Sequence, residues 1–428
     1  MKQIKFFSLI LAALLLAGCG NDEPTAEPID AVITVAASAF SINNAAGSEA
    51  TATFTVNTDW TTAVSYEGTA QEWLSVAPQS GRAGEDVEIT LKATAENTSD
   101  ANRIAYVDIC YADKTHRLTI TQTIDPNIDI TARFDTEFAK ILKERGYIPN
   151  AENIKFLDVK DIKKIDVSQF YPQRGNLTTL SGLEYFSALD TLDCYFNRLT
   201  SLDVSKNTML TYLNCAGNQL TDLDVSGCTA LSELGCDNNQ LTDLDVSNNT
   251  ALTSLGCGGN QLVTLYVSGC TALTGLNCDF NQLTALDVNK NTALTSLSCH
   301  FNQLIALDVS NNTVLNRLAC DNNQLTVLDV SNCTALTFLH CIGNQLTTLD
   351  VSNNTVLTDL ECGYNQLAAL DISKNTALAY LFFGSNPGNG AVFPVTAWFD
   401  NSSVPSNFPQ GSWDYNGNTI SIDYIKEN

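Results

Sequence analysis

Leu294-Thr295-Ser296-Leu297-Ser298-Cys299-His300-Phe301-Asn302-Gln303-Leu304-Ile305-Ala306-Leu307-Asp308-Val309-Ser310-Asn311-Asn312-Thr313 is one turn of a pattern that this chain repeats. Its cysteine belongs to a series at 194, 215, 236, 257, 278, 299, 320, 341 and 362, each 21 residues from the last. First leucines keep the same period at 189, 210, 231, 252, 273, 294, 315, 336, 357 and 378. A fixed period of this length means one supersecondary unit stacked on its own copies, because a single unit cannot bury its apolar face. Six positions per turn read as inward, here Leu294, Leu297, Cys299, Leu304, Leu307 and Val309. Each buried large aliphatic side chain contributes about 1.5–3 kcal/mol, so these columns dominate stability.

The polar columns read as structural. An Asn follows each ladder position by three, from Asn197 to Asn386, and its carboxamide can satisfy backbone groups left open at the strand-exit bend. Asp203, Asp224, Asp245, Asp287, Asp308, Asp329, Asp350 and Asp371 form a second column, broken by Tyr266. Bonding to the amides of their own turns is favoured there over calcium, since one acid per repeat is a thin ligand set. Adjacent strands set cysteine side chains ~4.8 Å apart, too far for a disulfide, and no Cys-x-x-Cys pair suggests zinc. The ladder cysteines are expected as buried free thiols, with no metal and no cofactor. Cys228, Cys270 and Cys333 stand where other repeats carry an Asn such as Asn249.

With its cysteines, the stretch 177–386 resembles the 21-residue-repeat branch of the internalin family, leucine-rich repeats that carry a cysteine at an otherwise apolar position. The resemblance implies a leucine-rich-repeat solenoid and an adhesion or recognition role.

Residues 1–18 read as an export signal, with Lys2 and Lys5 before the apolar run Phe6 to Leu16. Leu16-Ala17-Gly18-Cys19 resembles a bacterial lipobox, which implies lipid on Cys19; the alternative is an ordinary cleavage site beside a chance cysteine. Asn21-Asp22-Glu23 resembles the acidic export tag of Bacteroidota-type surface lipoproteins. The expectation is a lipoprotein of a Gram-negative outer membrane, exposed at the cell surface and held by lipid alone on a tether over 19–31. A net charge of −25 without a basic patch argues against nucleic acid.

Residues 32–124 change to a period of two. Thr53 to Val56, Val87 to Leu91, Ile104 to Ile109 and Arg117 to Ile120 alternate, as strands of an antiparallel immunoglobulin-like sandwich do. Asp59-Trp60, Trp73, Pro78-Gln79-Ser80-Gly81, Gly84, Asn97, Arg103 and Ile120-Thr121-Gln122 make this stretch resemble the BACON domain, whose name records a proposed link to carbohydrate binding. Trp60 and Trp73 could stack on sugars, but the core is the commoner fate of such aromatics. Cys110 reads as a small buried apolar residue. Helical spacing of Phe134, Phe138, Ile141 and Leu142 predicts the lid of an N-terminal cap over 129–176. Ile154 to Val159 and Ile165 to Ser168 read as degenerate repeats. A C-terminal cap over 387–428 ends in a hairpin around Asn416-Gly417.

Residues flanking Leu and Cys on each strand should face the concave surface. Its early section carries Asp193, Tyr195, Phe196, Tyr212, Glu233 and Asp237; its middle is mostly Gly, Ser and Asn. The later section carries Phe280, His300, Phe301, Arg317, Phe338, His340, Tyr364, Tyr380 and Phe382. Exposed aromatics on a rigid sheet suit a protein or glycan partner, against the alternative that drift leaves scattered aromatics on any solenoid. No paired carboxylates, Gly-x-Ser-x-Gly, His-Glu-x-x-His or phosphate loop appears, so a non-catalytic monomeric binder is expected. An accessory glycan-binding component of a polysaccharide-utilisation system and a structural display spacer are the alternatives.

Overall fold

A computed structural model describes residues 30–68, 72–170 and 172–427. The chain divides into two compact units, the first reaching Asp125 and the second beginning at Pro126.

In the first unit the alternating stretches become strands. One sheet has the order β1 (Ile33–Val35), β3 (Glu49–Val56), β7 (Gly84–Ala93), β5 (Leu74–Ala77). The other has the order β2 (Ala39–Ile42), β9 (Lys114–Gln122), β8 (Arg103–Tyr111), β4 (Trp60–Tyr66), β6 (Ser80–Gly81). Pairing is antiparallel except for β2 along β9, a parallel edge that the alternating pattern does not reveal. Phe54, Trp60, Trp73, Ile89, Leu91, Val107 and Ile120 lie in its core. Cys110 corrects the expectation: it is only half-buried, because it sits on the outward side of the alternation in β8.

In the second unit the repeats stack into an 11-stranded parallel sheet running from Lys164–Asp166 to Tyr380–Phe382. Register holds without slip, so Leu297 lies beside Leu276 and Leu318. All six inward positions of the quoted turn are buried. One continuous apolar core runs from Ile130 in the N-terminal cap to Tyr424 in the C-terminal cap.

Both caps cover the core's ends. Helix α1 (Thr136–Glu144) starts at Asp135, whose side chain accepts the Phe138 N–H at 2.9 Å, and buries Phe138, Ala139 and Leu142. Phe134 packs on Phe138 and Phe186, and Gly182 (φ 101°) leaves room for its ring. The stretch read as a first degenerate repeat is instead a short helix, α2 (Phe156–Val159); its Asp158 carboxylate accepts the Lys155 N–H and closes that turn. The second degenerate stretch does join the sheet, through Lys164–Asp166 beside Thr191–Asp193. At the far end Phe383 replaces the ladder cysteine and stacks on Phe393, 5.0 Å between ring centroids. The hairpin Ser412–Tyr415/Asn418–Lys426 turns through Asn416 (φ 49°) and Gly417 (φ 80°), and the Trp413 indole donates to the Asn386 carbonyl.

Candidate functional site

The Asn column works through both ends of its carboxamide. Asn302 Nδ2 donates to the Cys278 and Cys299 carbonyls, and its Oδ1 accepts the Leu283 N–H at 3.0 Å. Adjacent repeats are thereby fastened at the strand exit. The Asp column binds its own turns, as Asp308 does with the Ser310 N–H at 2.9 Å. Those bonds, first with the Ser310 side chain and then its backbone, hold Asp308 below the usual carboxylate range.

The ladder cysteines are free and buried. Burial pushes their thiols up, to about 12 at Cys215 and Cys362. Cys228, Cys270 and Cys333 have a different task. In their column Asn249 donates to the Val225 and Cys228 carbonyls, while its Oδ1 has no partner. Only the donor half of the carboxamide is used, so a thiol can stand in: Cys270 Sγ donates to the Val246 carbonyl at 3.1 Å.

On the outer face of the 11-stranded sheet, residues flanking the buried central leucine point away from the core. Phe280, Phe301 and Tyr364 do not occupy those flanking positions. They sit three residues past the end of the strand, in left-handed backbone with φ of 52°, 52° and 53°. Most other repeats fill that turn with Gly217, Gly259 or Gly343, or with Asn238 or Asn322, residues that tolerate positive φ; Phe196 (φ 57°) and Ser385 (φ 62°) share it. Phe280, Phe301 and Tyr364 are all exposed there. Phe280 and Phe301 stack face to face, centroids 4.5 Å apart.

His300 lies edge-on to both rings and between two acids, 2.8 Å from Asp279 Oδ2 and 3.5 Å from Asp321 Oδ2. These acids are already engaged. Asp279 accepts the His300 N–H and the Ser298 hydroxyl, and Asp321 accepts the Ile342 N–H at 2.7 Å. With Asp237, which accepts the Gly258 N–H, they recur every second repeat in the position after the cysteine. Burial raises Asp237 and Asp279 above the usual carboxylate range. Asp279 and Asp321 are site residues that the sequence reading missed; their alternate-repeat recurrence was the available signal.

Farther along the sheet, Phe338 is sandwiched. The Arg317 guanidinium lies 3.8 Å from its ring centroid, and the His340 ring 3.6 Å. His340 Nε2 is 2.9 Å from Asp359 Oδ1, and its Nδ1 is 3.6 Å from Glu361 Oε2. Asp359 and Glu361 were also missed, because each looks like an ordinary surface acid in its own repeat. Tyr380 is exposed, and its phenol is raised chiefly by the nearby Glu361 charge. Phe382 leans over Gly363, where a Cβ would strike its ring, and lies 6.2 Å from Tyr364. The later section thus gathers into two histidine–acid clusters, each packed against aromatic rings. The early section is separate: Tyr195 stacks on Phe196, which Arg174 covers at 5.2 Å.

In the first unit neither tryptophan is available to a sugar. Trp60 and Trp73 are buried, and a Cβ at Gly81 would meet the Trp60 ring at 2.7 Å. Asn97, Arg103 and Gln122 form one polar network. Asn97 Nδ2 donates to the Gln122 carbonyl, and Arg103 Nε to Gln122 Oε1 at 2.6 Å. Residues 1–29, Cys19 among them, lie outside the described residues. Among the described residues no helix is long and apolar enough to cross a membrane.

Residues 32–125 match the family described as Viral BACON domain, 208–249 match Leucine Rich repeats (2 copies), and 318–342, within the same solenoid, match LVIVD repeat. No curated protein matches the chain. Among solved structures, the functional domain of InlJ from Listeria monocytogenes, described as including a cysteine ladder, is 38% identical with a TM-score of 0.55. The match covers 63% of this chain and 56% of that one, so this chain spans little more than half of that relative. The leucine-rich-repeat domain of APL1 is 19% identical with a TM-score of 0.43, over 63% of this chain and 80% of its own.

Proposed function

We propose that this chain, a BACON domain followed by an internalin-like leucine-rich-repeat domain, is a non-catalytic recognition protein that docks a protein partner on the later repeats. A protein-interaction or adhesion role is what the leucine-rich repeats and the InlJ likeness suggest; the face and the class of partner are our reading. One observation carries it. Phe280, Phe301 and Tyr364 keep exposed aromatic rings in left-handed backbone that costs a non-glycine residue stability, at a turn where most other repeats use Gly or Asn. An exposed side chain retained against that cost serves contact with something outside the fold.

Protein is favoured over glycan because several flat ring faces are already taken. Phe338 lies between Arg317 and His340, and Phe280 and Phe301 cover each other. What remains is a ridge of half-covered rings between acids, suited to the aliphatic and cationic side chains of a protein surface. Lipid on Cys19, motivated by the Leu16-Ala17-Gly18-Cys19 sequence, would present this face outside the cell; Cys19→Ala should then release the chain from membranes.

Screening the full chain against arrays of extracellular proteins and of glycans tests the reading. Protein hits should weaken by at least about tenfold, ~1.4 kcal/mol, in the triple variant Phe280→Ala, Phe301→Ala, Tyr364→Ala. Unchanged binding by a folded triple variant would move the site elsewhere, and glycan hits alone would replace the partner class.

A further inference from the structure

We propose that His340, Asp359 and Glu361 form a site for a divalent transition metal of the zinc class on the outer face of the sheet. It goes beyond the partner reading and stands independently of it. Parallel pairing sets His340 opposite Glu361, and Phe338 opposite Asp359, so the two acids of one strand straddle the imidazole of its neighbour. One ligand atom from each lies within 4.8 Å of the other two. Zinc bonds of ~2.0–2.2 Å at tetrahedral angles separate ligands by about 3.3 Å; Asp359 faces Nε2 and Glu361 faces Nδ1, so turning the Glu361 carboxylate toward Nε2 is the movement that brings all three ligand atoms to one ion. The 2.9 Å contact between His340 Nε2 and Asp359 is the hydrogen-bonded form of the same convergence, in which a proton stands where the ion would sit.

The comparison with His300 supplies the discriminating observation. There too an imidazole lies between two acids, but Asp279 and Asp321 are committed to backbone N–H groups of the following repeat. Among the described residues no backbone N–H donates to the Asp359 or Glu361 carboxylates. They flank the His340 ring, Asp359 at Nε2 and Glu361 at Nδ1, and hold no backbone in place. The surroundings also fix the imidazole as a metal site requires: Phe338 packs against it with ring centroids 3.6 Å apart. One nitrogen and two carboxylate oxygens suit zinc and its first-row neighbours better than calcium, which takes six to eight oxygens. Three protein ligands leave a fourth position for water or for a donor atom of a partner.

The test is zinc titration of the full chain, purified without a histidine tag and kept reduced, with cobalt(II) as the spectroscopic probe. One zinc ion per folded chain is expected, with affinity at least about tenfold lower in Glu361→Gln and Asp359→Asn and lower still in His340→Ala. His300→Ala should bind as the parent does. The cobalt spectrum should lack the thiolate charge-transfer band that ladder cysteines would produce. Absence of binding, binding unchanged in Glu361→Gln and His340→Ala, or a thiolate band would each overturn the site. Thermal melts identify any variant that misfolds; the near-isosteric Glu361→Gln and Asp359→Asn then decide.

Discussion

Asp279 holds His300 at two points: its Oδ2 lies 2.8 Å from Nε2 of the ring and its Oδ1 accepts the backbone N–H at 3.0 Å. One carboxylate therefore sets both the chain and the side chain of the following repeat. The Ser298 hydroxyl is a third donor to it.

Removing that carboxylate should be costly. Asp279→Ala leaves a part-buried amide and a part-buried hydroxyl without their acceptor, at up to ~1–3 kcal/mol for each unsatisfied group. Urea unfolding of Asp279→Ala should show a loss of about 2 kcal/mol or more, and His300→Ala a smaller one. Equal losses would mean that the ring, not the amide, is what Asp279 supports.

The two kinds of cysteine should respond oppositely to one substitution. Cys270→Asn restores the column's usual donor toward the Val246 carbonyl and should change stability by no more than about 1 kcal/mol. Cys278→Asn puts a carboxamide among leucines and should cost ~2 kcal/mol or more, while Cys278→Val should be mild. Chemical denaturation of the three variants checks the contrast; equal effects at 270 and 278 would refute it.

Left-handed backbone at Tyr364 (φ 53°) predicts another inversion. Tyr364→Asn should keep or raise stability, since Asn tolerates this region, whereas the β-branched Tyr364→Val should lower it by about 1 kcal/mol or more. A destabilising Tyr364→Asn would show that packing against Phe382 outweighs the backbone term.

Alkaline pH should unfold the solenoid steeply. Burial raises the folded-state thiols above their ordinary 9.0, to about 12 at Cys215 and about 11 at Cys228. Between those values the unfolded chain loses protons that the folded chain keeps, so the stabilisation is complete below pH 9.0 and is lost as pH rises toward the folded values. Each fully buried thiol contributes ~1.4 kcal/mol per pH unit across its window. The melting temperature should be level up to about pH 8.5 and fall sharply above pH 9.0. A level profile to about pH 11 would show that the thiols do not titrate on unfolding.

The repeat by itself determined the solenoid, its inward columns, the Asn and Asp roles and the free thiols. Those features follow from a period and from local chemistry: Asn302 donates to the Cys278 carbonyl as Asn281 does to that of Cys257, so knowing one turn gives the contacts of all. The hairpin at Asn416-Gly417 was equally legible, because its turn geometry is local. The helix Phe156–Val159 was not, since Ile154 to Val159 carries the apolar spacing of a repeat and only its packing in the cap chose otherwise. The candidate site lay between these cases. Its aromatics were visible in sequence, but their left-handed turns were not, because a strand-flanking Phe and a turn Phe look alike until backbone angles are fixed. Asp279 and Asp321 around His300, and Asp359 and Glu361 around His340, became neighbours only through stacking. Residues that break the repeat have no counterpart one period away, so what surrounds each of them is decided by tertiary structure alone.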